Sequence, residues 1–261
     1  MLLISIAVIS LLSGALVCYG CDAFSTLTWL WLLPVSTLGF FLLLAALLFA
    51  FVLYLCKRVD QSVPQEDDSK FYRIVANLIV RSALPFLRIR VKHSGTEKVP
   101  TDGRFLLVCN HCNDSDPIIL LYCLHKSQLA FISKRENSTM FVIGPMMHKI
   151  LCQLINREND REALKTILRC IQIMNEDKAS IAVFPEGGIL SEDGKLHHFR
   201  PGVFKIAQKA NVPIVVCTLK NTDDILRNAA KLRPTHVYMN LVDVIPAEDL
   251  QGRTTVDIAD Q

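Results

Sequence analysis

The chain predicts an α/β fold with a mixed, largely parallel sheet flanked by helices, preceded by an N-terminal transmembrane helical hairpin. Three observations in the 261 residues carry that expectation. Short apolar strand-like runs alternate with helix-spaced segments from residue 100 onward. Two long uncharged apolar runs open the chain. The charges are also partitioned: Asp22 is the one charged side chain before Lys57, so all 28 basic residues and all but one of the 25 acidic ones follow it. That split excludes a wholly soluble protein and a polytopic transporter alike. The C-terminal part has ample apolar residues to bury a core, which excludes disorder. The near-neutral balance gives no reason for a nucleic-acid partner.

Residues 2–20 and 27–56 are the apolar runs. About 20 apolar residues cross the roughly 30 Å hydrocarbon core, so each is long enough. Trp29 and Trp31 are placed as interfacial anchors, and Pro34 offers a kink. A cleaved signal peptide is the alternative for the first run, against which stand the missing basic n-region and cleavage site. Lys57 and Arg58, then Lys70, Arg73, Arg81, Arg88 and Arg90, put the C-terminal domain on the cytoplasmic side of the membrane by the positive-inside tendency. Residues 1–58 thus read as a membrane anchor and residues 59–95 as an amphipathic, interfacial segment, with the soluble domain at 96–261. Within 70–90, cations interleave with Phe71, Ile74, Val75, Leu78, Ile79, Leu84, Phe86 and Leu87. That spacing suits either a helix lying in the headgroups or the first core helix of the domain.

In order, residues 104–109 read as a buried strand, 117–125 as a short helix and 129–133 as a strand. Leu164, Ile167, Leu168, Ile171 and Met174 give 161–175 helical spacing. Strands at 180–184, 213–219 and 236–245 and a helix at 203–210 complete the series, and the last dozen residues read as a surface tail. Function in such folds sits on loops beyond the carboxyl ends of the strands.

Three of those loops stand out. Asn110-His111-Cys112-Asn113-Asp114-Ser115-Asp116 places a histidine and a carboxylate five residues apart, so the loop can curl to bring the Asp oxygen to one ring nitrogen. The other nitrogen then faces a substrate as a base, with no serine or cysteine nucleophile required. Phe184-Pro185-Glu186-Gly187-Gly188 sets a carboxylate beside two glycines that allow close approach. Val212-Pro213-Ile214 enters a buried strand.

Taken in order with Leu154-Ile155-Asn156-Arg157, these blocks resemble the glycerolipid acyltransferase family, the lysophosphatidic acid (1-acylglycerol-3-phosphate) acyltransferases of the PlsC type. The likeness spans roughly residues 100–220 and implies an acyltransferase domain over 96–261. It implies that His111 is a general base on the free hydroxyl of a lysophospholipid, with Asp116 orienting it. That hydroxyl attacks the thioester of an acyl-CoA or acyl carrier protein, turning 1-acylglycerol-3-phosphate into phosphatidic acid. Transfer is direct, without cofactor or metal. Asn110, Arg157, Glu186, Gly187, Gly188 and Arg200 are the implied acceptor-binding residues. The family commonly reads Glu-Gly-Thr-Arg where this chain has Glu186-Gly187-Gly188-Ile189, so two phosphate donors are missing. Lys195, Arg200 and Lys205 lie downstream as replacements, and a different lysophospholipid or lipid alcohol is the competing acceptor.

Other readings accompany these. Cys109-Asn110-His111-Cys112, with Cys123 or His125, would suit a membrane-tethered thiol or zinc protein. The intact His111/Asp116 pair argues against a non-catalytic lipid-binding module. Of nine irregularly spaced cysteines, Cys18, Cys21 and Cys56 lie in or beside the apolar runs, and the other six read as reduced thiols, mostly apolar fillers. His197-His198 reads as a solvated turn. Lys134-Arg135-Glu136 reads as charged surface, with a phosphate contact as the alternative. His93, His125, His148 and His236 read as structural.

Overall fold

The computed structural model describes residues 2–189 and 198–261, which divide into two units, 1–60 and 61–261. In the first, α1 (Leu2–Gly20) and α2 (Trp29–Lys57) pack on each other, and each is long and apolar enough to cross a membrane. Two serine hydroxyls bond within their own helices: Ser10 Oγ donates to Ile6 O and Ser36 Oγ to Leu32 O. Polar groups in an apolar medium must be satisfied in this way. Gly14 sets the closeness of the pair, because a Cβ there would lie 2.6 Å from Thr37 Oγ1.

The second unit opens with α3 (Lys70–Phe86) and β1 (Ile89–Ser94). It continues through β2 (Leu106–Cys109), α4 (Asp116–Cys123), β3 (Leu129–Lys134), α5 (Ile143–Lys149) and β4 (Gln153–Ile155). Then come α6 (Asp160–Asn175), β5 (Ser180–Val183), α7 (Lys205–Ala210), β6 (Ile214–Lys220), α8 (Asp224–Ala230), β7 (Thr235–Ile245) and α9 (Thr255–Ala259). The seven strands run in the order β1-β7-β6-β2-β5-β3-β4, parallel throughout except for the antiparallel β6–β7 pair. The predicted mixed, largely parallel sheet is therefore the one observed.

Strand alternation divides the core between the two faces of the sheet. Leu107, Cys109, Phe131, Ala182, Val215 and Cys217 meet α3, α4 and α8 on one side. Leu106, Val108, Ala130, Ile181, Val183 and Ile214 meet α6, α7 and α9 on the other. Strands β2 and β5 are neighbours, yet the chain leaves β2 through α4 on one face and returns from β5 through α7 on the other. Open α/β sheets form their crevice where connections part like this.

Helix α3 supports the core reading with one of its faces. Val80 and Leu84 lie in the core, while Phe71, Ile74, Leu78 and Phe86 face outward. Arg73 is not among the headgroup-facing cations. It is buried, pairs with Asp68 at 2.8 and 2.6 Å, and donates to the carbonyls of Leu129 and Ile150. The helical segment also ends sooner than the basic run suggests, since residues 89–94 form β1.

Two further expectations need correction. Leu164 and Leu168 of α6 are exposed, because Cys170 and Ile173 take the inward positions beside Ile167 and Met174. The terminal dozen residues are not a loose tail. Thr254 and Asp257 form a capping box for α9, and Leu250 and Ile258 are buried.

Candidate active site

The ladder between β2 and β6 closes at Cys109 opposite Cys217, and Asn110 carries it one step further with a side chain. Its Oδ1 accepts from the Leu219 N–H at 2.7 Å and its Nδ2 donates to the Leu219 carbonyl at 3.0 Å. The amide read as substrate-binding is thus engaged by the protein's own backbone, and it pins the start of the loop to β6.

His111 follows directly. Its backbone N–H donates to Glu186 Oε1 at 2.8 Å, and its ring stacks on Phe184 with centroids 4.3 Å apart. Ring Nδ1 lies 2.9 Å from Asp116 Oδ2. That same oxygen accepts the backbone N–H groups of Cys112 at 2.7 Å and Asn113 at 2.9 Å, so it acts as an acceptor and Nδ1 carries the proton. Nε2 is left with its lone pair. Asp116 is wholly buried as the first residue of α4, with Pro117 beside it. Helix N-terminal dipoles favour an anion at such a position.

The loop after β5 supplies the facing wall. Gly187 has φ +75°, where a side chain is strained, and a Cβ there would also meet Arg200 Nε at 2.6 Å. Arg157, in the short loop between β4 and α6, donates through Nη1 to the Gly187 carbonyl. Burial, followed by the neighbouring Arg200 cation, pushes the Arg157 guanidinium below its usual value. Among the described residues no atom lies within 4 Å of a Cβ built at Gly188, so none of their contacts requires glycine there. Lys205 is exposed at the start of α7 and His198 is exposed, while Lys195 and His197 lie outside the described residues.

His111, Lys134, Arg157, Gly187 and Arg200 line a cavity of about 330 Å³. Away from this polar end its walls are apolar, with Ile79 and Val80 of α3, Leu121 of α4, Phe131 of β3 and Ile143 and Met146 of α5 among them. The loop residues were readable from sequence, but the apolar wall was not, because it is gathered from elements as far apart in the chain as α3, α4, β3 and α5. The stacking of Phe184 was also missed, although an aromatic directly after a buried strand and before Pro-Glu was its signal. Arg135 pairs with Glu162 at the surface, and only Lys134 of that charged trio reaches the cavity.

The thiols suit the filler reading. Burial, with Cys217 alongside, holds the Cys109 thiol well above its ordinary range, and burial together with Asp116 holds Cys112 up at about 11. Neither presents a thiolate at neutral pH. Among the described residues no three His, Cys, Asp or Glu side chains gather as a metal-ligand set.

Comparison with known proteins places this geometry in context. The acyltransferase family model matches residues 90–220. A chloroplastic 1-acyl-sn-glycerol-3-phosphate acyltransferase of Arabidopsis thaliana is 33% identical over 159 residues, covering 60% of this chain and 43% of that protein. The 1-acyl-sn-glycerol-3-phosphate acyltransferase of Borreliella burgdorferi is 25% identical over 193 residues, covering 71% and 74%. The chain spans about half the length of the plant and algal relatives it matches. The crystal structure of PlsC, the 1-acyl-sn-glycerophosphate acyltransferase of Thermotoga maritima, superposes with a TM-score of 0.61 at 20% identity, over 81% of this chain and 83% of that one. A shared fold, ordered loop motifs and a family match over half the sequence agree: the chain belongs to the acyltransferase family.

Proposed function

We propose that this protein transfers a fatty acyl group from an acyl thioester, acyl-CoA or acyl carrier protein, to the free hydroxyl of 1-acylglycerol-3-phosphate, giving phosphatidic acid. The observation that carries the reading is the His111–Asp116 pair at 2.9 Å, set at the polar end of an otherwise apolar cavity. Nε2 of His111 takes the hydroxyl proton as the acceptor oxygen attacks the thioester carbonyl carbon. The tetrahedral intermediate collapses by breaking the C–S bond, and the imidazolium returns its proton to the departing thiolate. Asp116 fixes the tautomer and steadies the imidazolium. The apolar wall receives hydrocarbon chain, each buried methylene contributing about 0.8 kcal/mol.

Arg157 and Arg200 hold the acceptor phosphate beside Gly187, with Lys134 across the cavity, and so stand in for the donors absent at Gly188-Ile189. In this reading the hairpin keeps the enzyme in the membrane that supplies its lipid substrate, and the basic residues following α2 support a catalytic unit on the cytoplasmic side.

The test is incorporation of labelled acyl chain by the full-length protein in lipid nanodiscs, with acyl donors crossed against lyso-acceptors. His111→Ala should lower turnover about 10²–10⁴-fold. Equal labelling by variant and wild type sinks the reading. The Gly188-Ile189 departure supports a second reading, an acceptor with another headgroup. Rapid acylation of such a lipid beside none of lysophosphatidic acid would select it.

A further inference from the structure

Glu186 occupies the block in which the family resemblance implies an acceptor ligand, yet its surroundings describe another task. Its flanking residues, Pro185 and Gly187, both line the cavity, and Glu186 is not among the lining residues. Its side chain turns into the protein instead, leaving the residue 6% exposed. There Oε1 receives the His111 backbone N–H at 2.8 Å. Since β2 and β5 are adjacent, with Val108 opposite Val183, this bond ties the loop after one strand to the loop after the other.

We propose that Glu186 is a positioning residue: its side-chain oxygen clamps the main chain of His111 and contacts no substrate. The inference rests on the acyl-transfer reading for its kinetic readout. Three constraints then fix the imidazole: the Glu186 bond at its backbone, Asp116 at Nδ1 and the Phe184 face against the ring. Nothing in this role requires charge, since an amide oxygen accepts the same bond. Losing the clamp frees the backbone on which the base hangs, and a displacement of about 1 Å at a reacting group costs on the order of 10²-fold in rate.

The experiment compares wild type, Glu186→Gln, Glu186→Ala and Glu186→Asp as full-length protein in nanodiscs, measuring kcat and the KM of each substrate. Glu186→Ala should lose about 10²-fold in kcat with the acceptor KM held within about twofold, the pattern of a misplaced base. Glu186→Gln should recover at least about tenfold over Glu186→Ala, whereas Glu186→Asp, one methylene short, should not. The proposal is overturned by a rise of about tenfold or more in acceptor KM at unchanged kcat, or by a Gln variant as slow as the Ala variant. Where Glu186→Ala does not fold, the acceptor KM of Glu186→Gln decides in the same sense.

Selective ¹⁵N-histidine labelling gives a readout independent of turnover. The His111 amide proton should keep its downfield shift in Glu186→Gln and move upfield in Glu186→Ala or Glu186→Asp. An amide resonance unmoved in all three variants refutes the clamp. Should wild type acylate no lyso-acceptor, the proposed function falls, and this resonance still decides the clamp.

Discussion

Replacing Arg73 should cost the second unit a large part of its stability. The guanidinium is almost wholly buried, makes a two-point pair with Asp68 and caps the carbonyls of Leu129 and Ile150. Removing it strands a buried carboxylate and two acceptors at once. Breaking a buried pair by deleting one partner typically costs about 3–5 kcal/mol, because the remaining charge is uncompensated. For a unit of this size each kcal/mol moves the melting temperature about 2–4 °C, so Arg73→Met should lower it by about 6–20 °C. Removing both charges together, in Arg73→Met/Asp68→Leu, should restore most of that loss. Thermal unfolding of the full chain in detergent, followed by far-UV circular dichroism, measures both. If Arg73→Met melts within about 2 °C of wild type, the buried pair is absent and the account of α3 packing fails.

Two further predictions concern the site and its surroundings. Gly188→Thr/Ile189→Arg restores the family's Glu-Gly-Thr-Arg sequence at a position with room for a side chain. It should lower the KM for a phosphomonoester acceptor about 10–150-fold, the worth of one charge-assisted hydrogen bond of about 1.5–3 kcal/mol. An unchanged KM would mean that Arg157 and Arg200 already saturate the phosphate. The second prediction follows the buried thiols. Burial raises Cys152 to about 11 from an ordinary 9.0, so the folded protein keeps a proton that the unfolded chain releases above about pH 9. Stability from this group is therefore full below pH 9 and falls by about 2–3 kcal/mol as pH approaches 11. Urea titrations of wild type and Cys152→Ala between pH 8 and 11 isolate it: the variant should lose less, and parallel curves would disprove the shift.

What the sequence disclosed follows the range of the interactions involved. The strands at 106–109, 180–183 and 214–220 were legible because a short apolar run between turn residues is a local signal. So was the His111/Asp116 pair, whose members share one loop. The three residues of β4 and the five of α9 carry too little periodicity to read alone, and both exist through pairing or packing. Arg73 looked like a headgroup cation because burial of an arginine depends on partners 56 and 77 residues away. The bonds from Asn110 to Leu219 and from His111 to Glu186 were invisible for the same reason: each needs the strand order β6-β2-β5, which no single segment encodes. Family resemblance named these residues, and geometry assigns two of them to holding the loop.

The parting of the chain at β2 and β5 has a consequence for how such an enzyme diversifies. The proposed base and its aspartate follow β2, whereas Gly187 and Arg200, two of the groups proposed to face the acceptor, follow the neighbouring β5. On that proposal, exchanges after residue 187 are expected to retune which lipid is recognised while the imidazole keeps its contacts with Asp116 and Phe184. The Gly188-Ile189 departure falls directly after Gly187, which lines the cavity, while the His111–Asp116 pair on the other strand's loop is intact.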